Sequence, residues 1–174
     1  MQYFQIEELD KAIEQCFIDK TTKLNNLTGL SYIVTHILKQ HKRYEENWSL
    51  VVFDTNIEKY VRAECDNINQ TDINLAVAKT LTDICRQSDI LAFCGNSTFC
   101  ILSRVFEGDD TVRFANKILK HITNIQYKDC KIEINTQFGI TFSKYEDSTQ
   151  NFFKRAESAL LKAQSSKESV VVSA

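Results

Sequence analysis

The sequence predicts an α+β sandwich in which one central, mostly antiparallel sheet is flanked by helices. Three observations carry that prediction. Segments with apolar residues at helical spacing alternate with short strand-like runs, in the order β-α-β-β-α-β-α-β behind two leading helices. The run "FCGNSTFCIL" (93–102) sets Gly-Asn between two short apolar stretches, the pattern of a tight β-hairpin. The chain of 174 residues, 43% of them hydrophobic, is large enough for one substantial core.

The elements follow in order. Ile6, Leu9, Ile13, Cys16 and Phe17 fall on one face of a helix expected to run to about Thr22. "NNLTGL" breaks that pattern, and "SYIVTHILKQHKRY" restores it through Ile33, Ile37 and Leu38. "WSLVVFD" (48–54) is a buried strand ending on an acid, followed by a polar, irregular stretch over 57–70 and a helix opened by a Thr/Asp cap in "TDINLAVAKTLTDICRQ". "DILAFC" and "TFCILSRVF" pair as the hairpin, and "EGDDTVRFANKILKHITNI" is another amphipathic helix. "CKIEINTQFGITFS" alternates as one strand, "STQNFFKRAESALLKAQ" is a last helix with Phe152, Phe153, Leu160 and Leu161 as core, and "SVVVS" closes the chain as a strand. Such an order suits the ferredoxin-like and nucleotide-cyclase architectures. Residues 1–22 read as a separate N-terminal helix and 23–174 as the domain proper.

Composition narrows the partners. A net charge of −2, with no run of more than two Lys or Arg, gives no electrostatic footprint for a nucleic-acid polymer. No segment approaches the ~18 apolar residues of a membrane span. The six cysteines form no C-x-x-C pair, and the first residues are neither basic nor followed by an apolar run, so reduced thiols in a cytoplasmic protein are expected. Cys94 and Cys100 flank the hairpin and read as two small buried side chains. His36, His41 and His121 have no carboxylate or thiol at triad spacing and read as surface or packing residues.

The pieces "NNLTGL", "LVVFDTN", "RQSD", "FCGNSTF", "FGIT" and "KRAESALLKAQ" stand in the order and register of one family. Over about Lys23 to Val172 the chain resembles a GGDEF domain, the diguanylate cyclase module. The resemblance implies a cyclase fold, a bacterial signalling context, and, for active members, the joining of two GTP into cyclic di-GMP with two Mg²⁺ per GTP. That chemistry needs hard oxygen ligands. Asp54 stands at the first acid of strand one, but Asn56 replaces the second, and the hairpin tip Gly95, Asn96, Ser97, Thr98 carries hydroxyls where the family has acids. The base-reading Asn falls at Arg62, with its Asp partner at Thr71 or Asp72, and the phosphate-holding cations fall at Gln164 and Glu168. Metal, base and phosphate contacts are lost together, which implies a degenerate domain that is not an enzyme and binds Mg²⁺ weakly or not at all.

One family feature is kept. Arg86 and Asp89 in "RQSD" occupy the family's R-x-x-D product site, with Lys117 at a further contact position on the next helix. An Arg fork donates to guanine O6 and N7, and a carboxylate accepts from guanine N1 and N2, so the site suits cyclic di-GMP. The plain alternative is a solvated ion pair between Arg86 and Asp89. Two other functions stand beside the receptor: a protein-interaction or dimerisation module without nucleotide, and a nucleotidyl cyclase of altered metal and substrate use, since Asp54 survives.

Overall fold

The computed structural model describes residues 6–105 and 108–173. Phe106 and Glu107, expected at the end of the hairpin and the start of the next helix, lie outside them, as do residues 1–5 and 174. The elements run α1 (Ile6–Phe17), α2 (Leu27–Tyr44), β1 (Trp48–Asp54), α3 (Ile57–Tyr60), β2 (Val61–Ala63), α4 (Gln70–Ile84), β3 (Ile90–Phe93), β4 (Thr98–Arg104), α5 (Gly108–Thr123), β5 (Asn124–Tyr127), β6 (Cys130–Ile134), β7 (Phe138–Phe142), α6 (Thr149–Ser166) and β8 (Val170–Ser173).

Five strands form the main sheet in the order β3-β4-β1-β7-β8, antiparallel at every pairing except β7–β8. Side chains alternate across β1. Val51 and Phe53 point to one face, where they pack with Ile73, Val77 and Leu81 of α4 and Ile118 and Ile122 of α5. Leu50 and Val52 point to the other, against Leu30 and Val34 of α2 and Phe152 and Leu160 of α6. The α+β sandwich read from the sequence is therefore the fold, with helices on both faces of β1.

The structure departs from the sequence reading at five places. α1 stops at Phe17 rather than near Thr22, because Asp19 turns the chain by accepting from the Thr22 backbone N–H at 2.7 Å and from its hydroxyl at 2.8 Å. The stretch expected to be irregular contains α3 and β2. The cap of α4 is Asn69, not a Thr/Asp pair at its start, and Asp72 returns the bond to the Asn69 N–H in a capping box. The single strand expected over "CKIEINTQFGITFS" is two strands in different sheets. β6 joins β2 and β5 in a three-stranded sheet, while β7 lies between β1 and β8. The crossing at 135–137 is fixed by Asn135 N–H donating to the Tyr60 carbonyl at 2.8 Å and by the Thr136 hydroxyl donating to the Asp54 carbonyl. Finally, Leu161 is not core: it is 59% exposed.

The expectation of six reduced thiols also fails at one pair. Cys65, just past β2, is disulfide-bonded to Cys130 at the start of β6, with Cα atoms 5.9 Å apart. Pairing of β2 with β6, Ala63 opposite Ile132, brings together two cysteines 65 residues apart in the chain. No helix among the described residues is long and apolar enough to cross a membrane.

Candidate functional site

The hairpin tip is a built structure. Cys94 N–H donates to the Thr98 carbonyl at 2.8 Å and Thr98 N–H to the Gly95 carbonyl at 3.0 Å, closing a turn in which Gly95 (φ 97°) and Asn96 (φ 53°) are both left-handed. The Asn96 carbonyl accepts from the Asn74 amide at 3.1 Å, and the Ser97 carbonyl accepts from the Thr55 N–H at 2.9 Å. Gln70 ties these together by donating to the Thr55 carbonyl at 3.1 Å and to Asn74 Oδ1 at 3.0 Å. The tip is thus stitched to the end of β1 and to α4.

Asp54 lies directly across from Thr98 in the β1–β4 register. Its carboxylate is occupied locally: Oδ1 accepts from the hydroxyl of buried Ser97 and from the Asn56 N–H at 3.0 Å. Asn56 in turn caps α3, its side-chain oxygen accepting from the N–H groups of Glu58 and Lys59 at 3.1 and 3.2 Å. All the residues singled out around strand one and the hairpin, Asp54, Asn56 and Gly95 to Thr98, converge here.

Between α2, β1, β4 and α6 runs a cleft of about 610 Å³ that ends at Asp54. Leu27, Val52, Phe153, Leu160 and Leu161 give it a largely apolar lining, and Lys59, Glu157 and Gln164 supply polar ends. Tyr60, which sequence reasoning missed, hydrogen-bonds Gln164; burial, and then the Asp54 charge, raise its phenol above the ordinary value despite that bond. Arg62 and Glu168 are exposed and do not line the cleft. Asp72 is spent on the α4 cap and on Lys128, 3.1 Å away, which holds its carboxyl below the usual range ahead of the Asn69 N–H.

At the opposite end of the sheet, Asp89 Oδ2 accepts from the Arg86 backbone N–H at 2.8 Å, and the Asp89 N–H returns to the Arg86 carbonyl at 3.0 Å. The ion pair that was the plain alternative to a ligand site is not formed between the two side chains. Arg86 is exposed, with no ion-pair partner for its guanidinium among the described residues. The two side chains border a depression of about 60 Å³ with Ser103, Arg104, Asp110 and Thr111. Lys117 does not line it, but its charge and that of Asp89 both reach the Cys85 thiol. Burial, reinforced by Asp89 and opposed by Lys117, pushes that thiol up to about 12. Arg104 and Asp110 were not visible as site residues in the sequence, although counting along β4 from the hairpin would have placed Arg104 near the start of β3.

The profile of the family described as "Diguanylate cyclase, GGDEF domain" matches residues 16–169. The chain belongs to the GGDEF family. It is 22% identical over 168 residues to the diguanylate cyclase DgcM of Escherichia coli K12, a match that covers 97% of this chain and 40% of that protein. The chain therefore spans about 40% of the length of the curated relatives it matches. Among solved structures, the coiled coil and GGDEF domain of DgcB from Caulobacter crescentus, in complex with c-di-GMP, superposes with a TM-score of 0.78 at 14% identity, covering 96% of this chain and 91% of that one. The diguanylate cyclase SiaD of Pseudomonas aeruginosa, in complex with its activator SiaC, also gives 0.78, at 16% identity over 96% of this chain and 66% of that one. These likenesses extend to the GGDEF fold as a whole.

Proposed function

We propose that this GGDEF domain makes no cyclic di-GMP and serves as a receptor that binds cyclic di-GMP at Arg86 and Asp89. The observation that carries the receptor reading is the pair's geometry. The backbone pins the Asp89 carboxylate through one oxygen, leaving the other to accept from guanine N1 and N2, while the neighbouring guanidinium extends free to donate to O6 and N7. The depression is too small to enclose a dinucleotide, so the ligand lies along the surface, beside the exposed Arg104 and Asp110. The c-di-GMP complex of DgcB lends this reading support by likeness of fold.

Inactivity rests on the cleft end. Two Mg²⁺ need several oxygen donors, mostly carboxylates and phosphates. Here Asp54 already accepts two hydrogen bonds, Asn56 caps a helix, and Ser97 and Thr98 are neutral. This donor set does not fit the metal pair, and Gln164 and Glu168 offer no cation to a triphosphate. A second reading, a protein-docking module, draws on Leu27 and Leu161, 49% and 59% exposed on the cleft rim, and on the likeness to SiaD, which is seen with a protein partner.

Calorimetric titration with cyclic di-GMP separates the readings. Removing the Arg86 fork in Arg86→Ala takes away about 1.5–3 kcal/mol and weakens binding about 10- to 100-fold, Asp89→Asn does comparable damage, and Thr98→Ala does none. Absence of heat and of any melting shift at ligand concentrations well above micromolar defeats the receptor reading and leaves the docking module. GTP turnover in the presence of Mg²⁺ or Mn²⁺ would instead require a cyclase of altered metal use.

A further inference from the structure

Cys94 and Cys100 lie on the same side of the hairpin. Cys100 is opposite Ala92 in the β3–β4 register and Cys94 is two residues along, so the two are diagonal neighbours on one face. Their sulfurs are 3.5 Å apart, in van der Waals contact, and both border the cleft beside Asp54 and Thr98. Exposure divides them: Cys100 is buried, whereas Cys94 is half-buried at the end of the strand.

We propose that Cys94 and Cys100 form a dithiol–disulfide couple in the wall of the cleft, with Cys94 the attacking thiol and Cys100 the resolving one. Either thiol can donate across the contact, but the charged form belongs on the less buried sulfur. The bond from Cys100 accordingly lowers the Cys94 thiol, while Cys100, bonded to Cys94 and out of water, is held well above the ordinary range. Closure needs the strand end to draw in, since a disulfide requires closer Cα atoms than an ideal diagonal pair has. The neighbouring Gly95, lacking a side chain, can take up the altered backbone angles that this movement requires.

The oxidant is a low-molecular-weight disulfide. The Cys94 thiolate attacks one of its sulfurs, the S–S bond breaks, and one thiolate leaves, giving a mixed disulfide on Cys94. Cys100 then loses its proton to solvent, attacks the Cys94 sulfur and expels the second thiolate. The protein gives up two electrons and two protons, and the reagent is reduced to two thiols. The couple is independent of the site at Arg86.

The test treats the native chain with oxidised glutathione, blocks remaining thiols with iodoacetamide after denaturation, and examines the tryptic peptide between Arg86 and Arg104 by mass spectrometry. That peptide holds Cys94 and Cys100 and no other cysteine, which separates the couple from Cys65–Cys130. The expected wild-type peptide is two hydrogens lighter and unalkylated. Cys100→Ser should stop at a glutathione adduct on Cys94, and Cys94→Ser should leave Cys100 alkylated, with its reaction at least about tenfold slower. Alkylation of both wild-type cysteines overturns the proposal. So does a wild-type glutathione adduct that never closes, or a Cys94→Ser variant that reacts as fast as wild type.

Discussion

Arg155 shows how one side chain can hold several elements. It stands on α6, pairs with the buried carboxylate of Asp147, donates to the Phe142 carbonyl at 2.7 Å and to the Thr141 hydroxyl, and so fastens α6 to the end of β7. Asp147 also accepts from the Lys144 N–H at 2.8 Å. Removing one partner of a buried pair strands the other charge, so Arg155→Ala should cost about 3–5 kcal/mol in urea unfolding. The joint replacement Arg155→Met with Asp147→Leu should cost less than the single change, because no orphaned charge remains. Ser97→Ala is a milder case: it takes one of two donors from Asp54 and should cost about 1 kcal/mol. The residues of this corner were legible in the sequence because Gly-Asn between apolar runs marks a hairpin and an acid ends the buried strand. Their bonds were not. Neither Ser97 donating to Asp54 nor Tyr60 reaching Gln164 leaves a periodic trace, because each joins residues far apart in the chain.

At the level of elements, the contact between β7 and α6 sets the spacing of the sheet and its helices. A Cβ placed on Gly139 would meet Leu160 N at 2.3 Å, the Ala156 carbonyl oxygen at 2.6 Å and Leu160 Cα at 2.8 Å, all backbone atoms that no rotamer change can move. Gly139→Ala should therefore push α6 off the sheet and destabilise by about 1–3 kcal/mol or more, read from the denaturant midpoint. The small sheet depends on a different tie. The Cys65–Cys130 bond closes a 65-residue loop between β2 and β6, and Cys65→Ser with Cys130→Ser should lose about 2–5 kcal/mol, with hydrogen exchange at 61–63 and 130–134 rising most. The strong elements α2, β1, the hairpin and α6 were legible, since each buries a long periodic face. The short ones were not. β2 has three residues and α3 four, too few for a period to register, and β6 and β7 read as one strand because alternation continues through Asn135 to Gln137 while the hydrogen-bond partner changes.

For the whole molecule, the question is whether the proposed inactivity rests on the hairpin and strand-end residues alone. The combined variant Asn56→Asp, Asn96→Gly, Ser97→Asp, Thr98→Glu restores the family's carboxylates, and it should still yield no cyclic di-GMP from GTP and Mg²⁺ by mass spectrometry. Asp54 and Glu157 already border the cleft, and Lys59 is the cation that lines it among the described residues. Further carboxylates, with the neutral Gln164 in the lining, make the cleft more negative and repel a triphosphate. The same variant should be less stable. Ser97→Asp removes the hydroxyl that donates to Asp54, and Thr98→Glu sets a second carboxylate directly opposite it on the neighbouring strand. A loss of about 1–2 kcal/mol corresponds to a fall of roughly 2–8 °C in Tm for a chain of this size. Adding Mg²⁺ then reports on the cage itself: recovery of Tm means the acids bind metal, and the missing product then traces to the phosphate and base contacts. Product from the acids alone would show instead that the cleft still receives GTP, and the inactivity proposed for the natural chain would then rest on its metal ligands alone.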